Sequence, residues 1–301
     1  MTATGRIARE QGADSRPPGV VLTLSCPDTT GVVAAAAGFL AGENGLITEA
    51  QHFDDPFSDT SFMRVVFHDN GAGMKALPEL DRAFASSVAE RFAMRWQFHD
   101  AQRPCRVLLA VSRHGHCLNS LLHRWSMGAL PIDVAGVVSN HQDLRSLAEW
   151  HGVPYHYFPV TEGRRAEQEQ RLLELFAASG AELLVLARYM QILSAEACRR
   201  LEGRAINIHH SFLPGFKGAN AYHQAHVRGV KLIGATAHYA TVELDEGPII
   251  EQQVERVDHT LTPEQFVDIG RDLESVVLTR AVRWHAERRI FLNGNKTVVL
   301  R

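Results

Sequence analysis

The chain has no apolar run long enough to cross a bilayer. Such a span needs roughly 20 residues, and the nearest candidate, VAAAAGFLA at 33–41, is far shorter, which excludes a membrane-spanning segment. It also lacks a positive charge balance. Lys and Arg number 31 against 34 Asp and Glu, a formal net charge of -3, so there is no broad cationic field to hold a phosphate backbone and nucleic acid is excluded as a partner. There is no CxxC pair: Cys26, Cys105, Cys117 and Cys198 stand far apart. The chain opens without a charged-then-apolar secretory signal. Together these predict free thiols in a reducing, cytoplasmic setting. What is present is 301 residues with 45% apolar composition, enough to bury a real core and better suited to two modest domains than to one.

Residues 1–18 carry scattered charges and the Pro17–Pro18 pair without apolar periodicity, the pattern of a disordered leader. From Gly19 an apolar, β-branched run, VVLTLSCP, predicts a strand. DTTGVVAAAAGFLAGENG after it has helical spacing and a glycine-rich stop. ITEAQHFDD and SFMRVVFHD are strand-like runs on either side of the turn-prone DPFSD. A helical stretch, ALPELDRAFASSVAERFA, and a short run, MRWQFHD, complete a β-α-β-β-α-β order. That is the order of the ferredoxin-like split βαβ unit. CPDTTGV at 26–32 resembles the opening turn of ACT regulatory domains. In it Asp28 or Thr29 is expected to cap the helix, while Gly31 lets the first turn approach a neighbouring sheet or a small effector.

After Pro104 the pattern restarts. Strand-like runs CRVLLAVS, DVAGVVSN, VPYHYFPV, AELLVLAR, AINIHH and KLIGATAHYA alternate with helical segments such as HCLNSLLHRW, LRSLAEWHG, EQEQRLLELFAASG and SAEACRRLEG. Repeated alternation implies a mostly parallel sheet covered on both faces. Ligands of such sheets bind beyond the carboxyl ends of the strands, so the residues that follow each strand are the ones to inspect.

Two segments carry chemistry: INIHHSFLPGFKGANAYHQA at 206–225 and ATAHYATVELDEGPIIEQ at 235–252. Strand residues two apart share a face, so Asn207 and His209 converge. An amide donor beside an imidazole suits a reaction that builds negative charge on a carbonyl oxygen. Asp245, in the LDEGP turn, adds a carboxylate able to hold His209 protonated or to orient a water. By the same parity His210 faces away and is read as structural. In HGHC at 114–117 the spacing of His114, His116 and Cys117 hints at a metal, but no further ligand is identifiable, so no metal is assigned. His223, His226 and His238 read as packing or loop residues.

These segments resemble the formyl-folate hydrolase and transferase superfamily, whose mark is N-x-H-x-S-x-L-P followed by a second strand and a loop ending in D-x-G. Asn207, His209, Ser211, Leu213 and Pro214 match the first element, and Asp245 and Gly247 the second. The resemblance implies that Asn207 and His209 polarise a formyl carbonyl and bind the tetrahedral oxyanion while Asp245 manages proton transfer. LARYMQIL at 186–193 resembles the family's pterin-pocket segment, with Met190, Ile192 and Leu193 as walls and the backbone of Val242, Glu243 and Leu244 opposite. Gln191 departs from the basic residue often found there, and Asn220–Ala221 stands where R-P is more usual.

From Gly19 onward the domain order is similar to that of the formyltetrahydrofolate deformylase family, which hydrolyses 10-formyltetrahydrofolate to formate and tetrahydrofolate. The loop SRHGHCLNSLL lacks the G-x-G-S-N phosphate cradle expected of a glycinamide ribonucleotide transformylase. The chain also stops before the extra domain of a methionyl-tRNA formyltransferase. The resulting expectation is an α/β protein with a ferredoxin-like ACT domain (βαββαβ) at 19–101 and a Rossmann-like formyltransferase domain with a mostly parallel sheet at 104–301. It would use a folate substrate and water without a cofactor, take a small amino-acid effector near Asp28, Thr29 and Gly31, and assemble as a homotetramer. Formyl transfer to an amine, or an amino-acid-sensing folate-binding module, are the alternatives.

Overall fold

Leu22, Leu24, Met63, Val65 and Phe67 alternate along two paired strands and turn one face of a sheet apolar. They belong to the first of two units into which the chain divides between Arg103 and Pro104, seen in a computed structural model that describes residues 19–161, 163–215 and 221–301. The 1–18 segment, expected to be a leader, lies outside the described residues, as does residue 220.

The first unit runs β1 (Gly19–Pro27), α1 (Val32–Gly42), β2 (Gly45–Asp55), β3 (Thr60–Asp69), α2 (Leu77–Phe84) and β4 (Arg95–Asp100). The strands form an antiparallel sheet in the order β2-β3-β1-β4. Val32, Ala36 and Leu40 of α1 and Leu80 and Phe84 of α2 join the apolar face in one core. The Phe84 ring sits edge-on to Phe39 at 5.1 Å and to Phe98 at 5.6 Å.

The turn before α1 corrects two expectations. Neither Asp28 nor Thr29 caps the helix. Gly31 is the N-cap residue, with φ of 98° and no side-chain cap, while Asp28 accepts a hydrogen bond from Ser61 Oγ at 3.3 Å. Nor does a neighbouring sheet approach Gly31, since a Cβ there would meet no described protein atom within 4 Å. Glycine suits the position because the backbone is left-handed.

The second unit runs β5 (Cys105–Val111), α3 (His116–Ser126), β6 (Ile132–Ser139), α4 (Arg145–Trp150), β7 (Tyr155–Tyr157), α5 (Arg165–Ala178), β8 (Leu183–Leu186), α6 (Ala195–Arg200) and β9 (Ala205–His209). It continues through α7 (Ala221–Val227), β10 (Leu232–Tyr239), β11 (Ile249–Arg256), α8 (Pro263–Ala286) and a hairpin, β12 (Ile290–Asn293) with β13 (Lys296–Val299). The main sheet has the order β11-β10-β9-β8-β5-β6-β7. Its strands are parallel from β7 through β9, and then β10 and β11 run antiparallel.

Near-continuous apolar strands are buried on both sides, as a parallel sheet requires. Val107, Leu109, Val185, Ile206 and Ile208 face α3 and α8, while Leu108, Ala110, Leu184 and Leu186 face α5 and α6. The chain leaves β5 towards β6 and β7, then returns on the other side through β8 and β9. This puts a topological switch point between β5 and β8. The long α8 opens with a capping box, Thr262 and Gln265 bonding each other's backbone with Pro263 in the first turn.

Candidate active site

Along β9 the side chains alternate. Ile206 and Ile208 enter the core, so Asn207 and His209 share the opposite face. The antiparallel partner β10 then sets what faces them, with His238 opposite Asn207 and Thr236 opposite His209. A bulge between Ala237 and His238 interrupts the pairing of β10 with β11 at the same level. His238, expected to be a packing or loop residue, therefore belongs to this site. Its place depends on an antiparallel register that alternating strands and helices do not announce.

Asp245 arrives from the loop after β10. Its Oδ2 lies 3.2 Å from His209 Nδ1 and its Oδ1 3.7 Å from His238 Nε2. Burial by itself would raise the Asp245 pKa, but the hydrogen bonds and charges of His209 and His238 outweigh it and hold the carboxyl well below its ordinary value. His238 Nδ1 lies 2.9 Å from the Tyr239 carbonyl and donates to it. Its Nε2 faces both the Asp245 carboxylate and, at 3.2 Å, the Asn207 amide nitrogen; in the neutral ring it accepts from that amide, and when protonated it donates to Asp245. The amide contact fixes which way the Asn207 side chain points and leaves its second N–H available.

The loop bearing Asp245 is held by shape. Tyr239 N–H donates to the Pro248 carbonyl at 3.0 Å, so the chain doubles back against itself, and a Cβ on Gly247 would stand 1.8 Å from the Tyr239 carbonyl oxygen. Asp245 takes the left-handed φ of 58°, a region that Asp tolerates better than most residues. The S-x-L-P part of the motif is also structural. Thr236 Oγ1 donates to the Ser211 carbonyl at 2.8 Å and accepts from Leu213 N–H at 3.1 Å, while Gln252 Nε2 donates to the Leu213 carbonyl at 3.0 Å.

Asn207, His209, His238 and Asp245 line a cavity of about 260 Å³. Met190, Gln191, Ile192, Leu193, Thr241, Val242 and Leu244 supply much of the rest of the wall. Glu243 corrects the expectation. It does not line the cavity, and its carbonyl instead closes the loop by accepting from Thr241 Oγ1 at 3.0 Å. The 188–193 wall is tied to the switch point. Buried Ser112, just after β5, accepts from Met190 N–H at 2.9 Å and donates to Asn140 Oδ1 at 2.7 Å, and its own N–H donates to the Arg188 carbonyl at 3.2 Å. The result is an apolar slot with polar groups converging at one end, the usual form of a site for a flat organic ligand.

His210 follows the strand and is buried, its ring 5.1 Å from that of His209 and 5.9 Å from Tyr222. Burial first, then the nearby Arg188 and His209, push its pKa down to about 4. Sequence reasoning missed Glu274 on α8. It is 1% exposed and gathers His116 Nε2 at 2.8 Å, Tyr222 Oη at 3.1 Å and Arg188 Nε at 3.3 Å. No local signal marks it, because its three partners come from three other segments of the chain.

The H-x-H-C run places His116 and Cys117, with Glu274, close enough to share an ion. Glu274 is nonetheless engaged by three protein groups, and burial pushes the Cys117 thiol well above its ordinary value. His226 packs edge-on to Phe266 and bonds the Leu261 carbonyl, as a packing residue does.

Residues 105–282 match the formyl transferase family. The chain is 52% identical over 283 residues to a formyltetrahydrofolate deformylase from Corynebacterium sp. (strain P-1), a match covering 93% of this chain and 98% of the relative. It is also similar to the crystal structure of a formyltetrahydrofolate deformylase from Burkholderia mallei, at 54% identity and a TM-score of 0.89 over 95% of this chain and 100% of that one. A glycinamide ribonucleotide transformylase from Symbiobacterium toebii is similar at 30% identity and a TM-score of 0.63, over 66% of this chain.

Proposed function

The chain belongs to the formyl transferase family, and on that premise we propose how it works as a formyltetrahydrofolate deformylase, hydrolysing 10-formyltetrahydrofolate to formate and tetrahydrofolate. The observation that carries the activity is the extent of the likeness. The deformylase relatives align with both units of the chain, whereas the transformylase aligns with two thirds of it.

In the proposed mechanism the pterin ring occupies the apolar slot between Met190, Ile192 and Leu193 on one side and Val242 and Leu244 on the other. The formyl group then meets Asn207 and His209. A water held by the Asp245 carboxylate attacks the formyl carbon, and the carbonyl electron pair moves onto oxygen. The free N–H of Asn207 and the imidazole of His209 stabilise that oxyanion, a contribution that grows as charge develops. When the oxyanion collapses, the bond from carbon to N10 breaks, N10 takes the water's first proton relayed through Asp245 and His209, and the formic acid formed loses its remaining proton to solvent and leaves as formate. Asp245 is kept ionised by its imidazole neighbours, so it holds the water as a hydrogen-bond acceptor while the water's proton is passed on. His238 is the positioning residue that holds the Asn207 amide. The reaction draws only on the folate substrate and water.

The N-terminal unit is proposed to be an ACT-type regulatory domain, on its β-α-β-β-α-β order and antiparallel sheet. A small amino-acid effector would sit near Asp28, Thr29 and Gly31 in a cytoplasmic homotetramer. Equilibrium dialysis of the full chain with labelled amino acids, and native mass spectrometry, test the effector and the assembly.

The activity is tested by formate release from 10-formyltetrahydrofolate in buffer free of amine acceptors, for the wild type and Asp245→Asn. The expected result is release by the wild type and a loss of about 10²–10⁴ in the variant. Release that appears only when an amine is added would replace hydrolysis with transfer.

A further inference from the structure

A second cavity, of about 240 Å³, adjoins the catalytic one and shares Arg188, Met190 and His210 with it. Its character is different. His114 and His116 reach it from the start of α3, Arg188 from the end of β8, His210 from the end of β9, His223 from α7 and Arg271 from α8. Glu274 is the one carboxylate among its lining residues, and it is already committed to His116, Tyr222 and Arg188. Two permanent cations and four imidazoles therefore surround one neutralised acid.

The Arg188 Nε atom is buried and has no hydrogen-bond partner among the described residues, although Glu274 Oε2 is 3.3 Å away. The Arg188 guanidinium is thus ion-paired with a carboxylate that His116 and Tyr222 also share, which leaves it hydrogen-bonding capacity for a further anion. Among the described residues Arg271 pairs with Asp268 at 3.0 Å, an exposed contact worth little in water. Burial, followed by the charge of Arg188, lowers the pKa of both His114 and His210, with His116 and Arg271 adding to the effect at His114 and His209 at His210. Glu274 opposes it at both rings and Asp245 at His210. The field in the cavity is positive, and an anion placed there would relieve it.

We propose that this second cavity is a binding site for a small oxyanion and that its occupant is the formate released by the reaction. The inference rests on the hydrolytic reading above for its choice of ligand. The two products differ in just the way the two cavities do. Tetrahydrofolate is a flat, largely apolar body fitting the slot of Met190, Ile192 and Leu193. Formate is a compact anion, which a charge-assisted hydrogen bond from Arg188 and the neighbouring imidazoles can hold. Passing formate across the shared wall at His210 separates it from N10, so it does not remain beside the amine it has just left.

The experiment titrates ¹³C-labelled sodium formate into the full-length protein saturated with tetrahydrofolate, following the formate resonance, for the wild type, Arg271→Gln and His223→Gln. Saturable binding is expected in the wild type. It should weaken at least about tenfold in Arg271→Gln, the loss that goes with one charge-assisted contact. His223→Gln, which keeps a hydrogen-bonding side chain, should weaken it less.

Formate binding that survives both substitutions unchanged, or that vanishes when tetrahydrofolate fills the first cavity, overturns the site. Inorganic phosphate binding under the same conditions, with no binding of formate, overturns the product as its occupant. Because formate is added directly, these outcomes do not depend on turnover. An absence of formate release from the folate substrate would instead defeat the hydrolytic reading, whatever the titration gives.

Discussion

His238 Nε2 lies 3.2 Å from the Asn207 amide nitrogen, across a pair of antiparallel strands, while its Nδ1 bonds the neighbouring Tyr239 carbonyl at 2.9 Å. Nδ1 is thereby fixed as a donor, and in the neutral ring Nε2 accepts from the amide. The amide that would face an oxyanion is held in one orientation.

Replacing His238 by Phe should free the Asn207 amide to rotate. We expect kcat to fall about ten- to a hundredfold with KM little changed, somewhat less than the loss on deleting an oxyanion donor outright. His238→Gln, whose amide oxygen can still accept from Asn207, should recover part of the rate. Steady-state kinetics on both variants would decide the matter. A rise in KM of the same size as the fall in kcat/KM would show that His238 serves binding instead.

Gly247→Ala should damage the site without touching a polar group. Its Cβ would stand 1.8 Å from the Tyr239 carbonyl oxygen, so the loop carrying Asp245 must move. The expected cost is about 1–3 kcal/mol, as for other overpacked positions, together with loss of formate release. Urea unfolding and an activity assay measure the two effects, and wild-type activity in a folded Ala variant would contradict the tight turn.

Ser112→Ala removes the hydroxyl that accepts from Met190 N–H and donates to Asn140. Leaving those buried partners unsatisfied should cost about 1–3 kcal/mol. Because the hydroxyl pins the cavity wall rather than the reacting groups, we expect KM for the folate to rise more than kcat falls. Kinetics over a range of folate concentrations would separate the two.

Two buried histidines make stability fall in acid. His210 and His285 are each held down to about 4, mainly by burial, against an ordinary 6.5. A depressed histidine pKa means that the unfolded chain binds more protons between those values. Their contribution is therefore fully present above pH 6.5 and is lost as pH falls towards 4, by about 3 kcal/mol each. His285, whose Nδ1 lies 2.8 Å from Tyr239 Oη, is the cleaner test. In His285→Phe, denaturant unfolding from pH 7 to pH 4.5 should show a pH slope shallower by up to one proton, whatever the change in absolute stability. An unchanged slope would mean that His285 is already protonated in the folded protein.

Much of this was readable along the chain. Asn207 and His209 are two residues apart in an apolar-flanked strand, and strand geometry alone puts them on one face. The strand-helix order of both units followed from periodicities of two and of about 3.6. The cap of α1 was misread because Asp28 and Thr29 have the right chemistry for a cap, but the backbone reaches its left-handed turn only at Gly31. Strand β11 and helix α8 went unassigned, and with them Glu274.

The sequence by itself determined the local chemistry: an amide and an imidazole side by side on one strand, a carboxylate in a tight glycine turn, and an apolar segment able to hold a flat ring. Each depends on neighbours within a few residues, where covalent geometry sets direction. The tertiary structure decided which distant groups complete them. It set His238 opposite Asn207 through an antiparallel register, tied the Met190 wall to Ser112 at the switch point, and drew Arg188, His116 and Tyr222 around Glu274. Those pairings arise from packing between elements far apart in the chain, and side-chain spacing carries no record of how strands are ordered in a sheet.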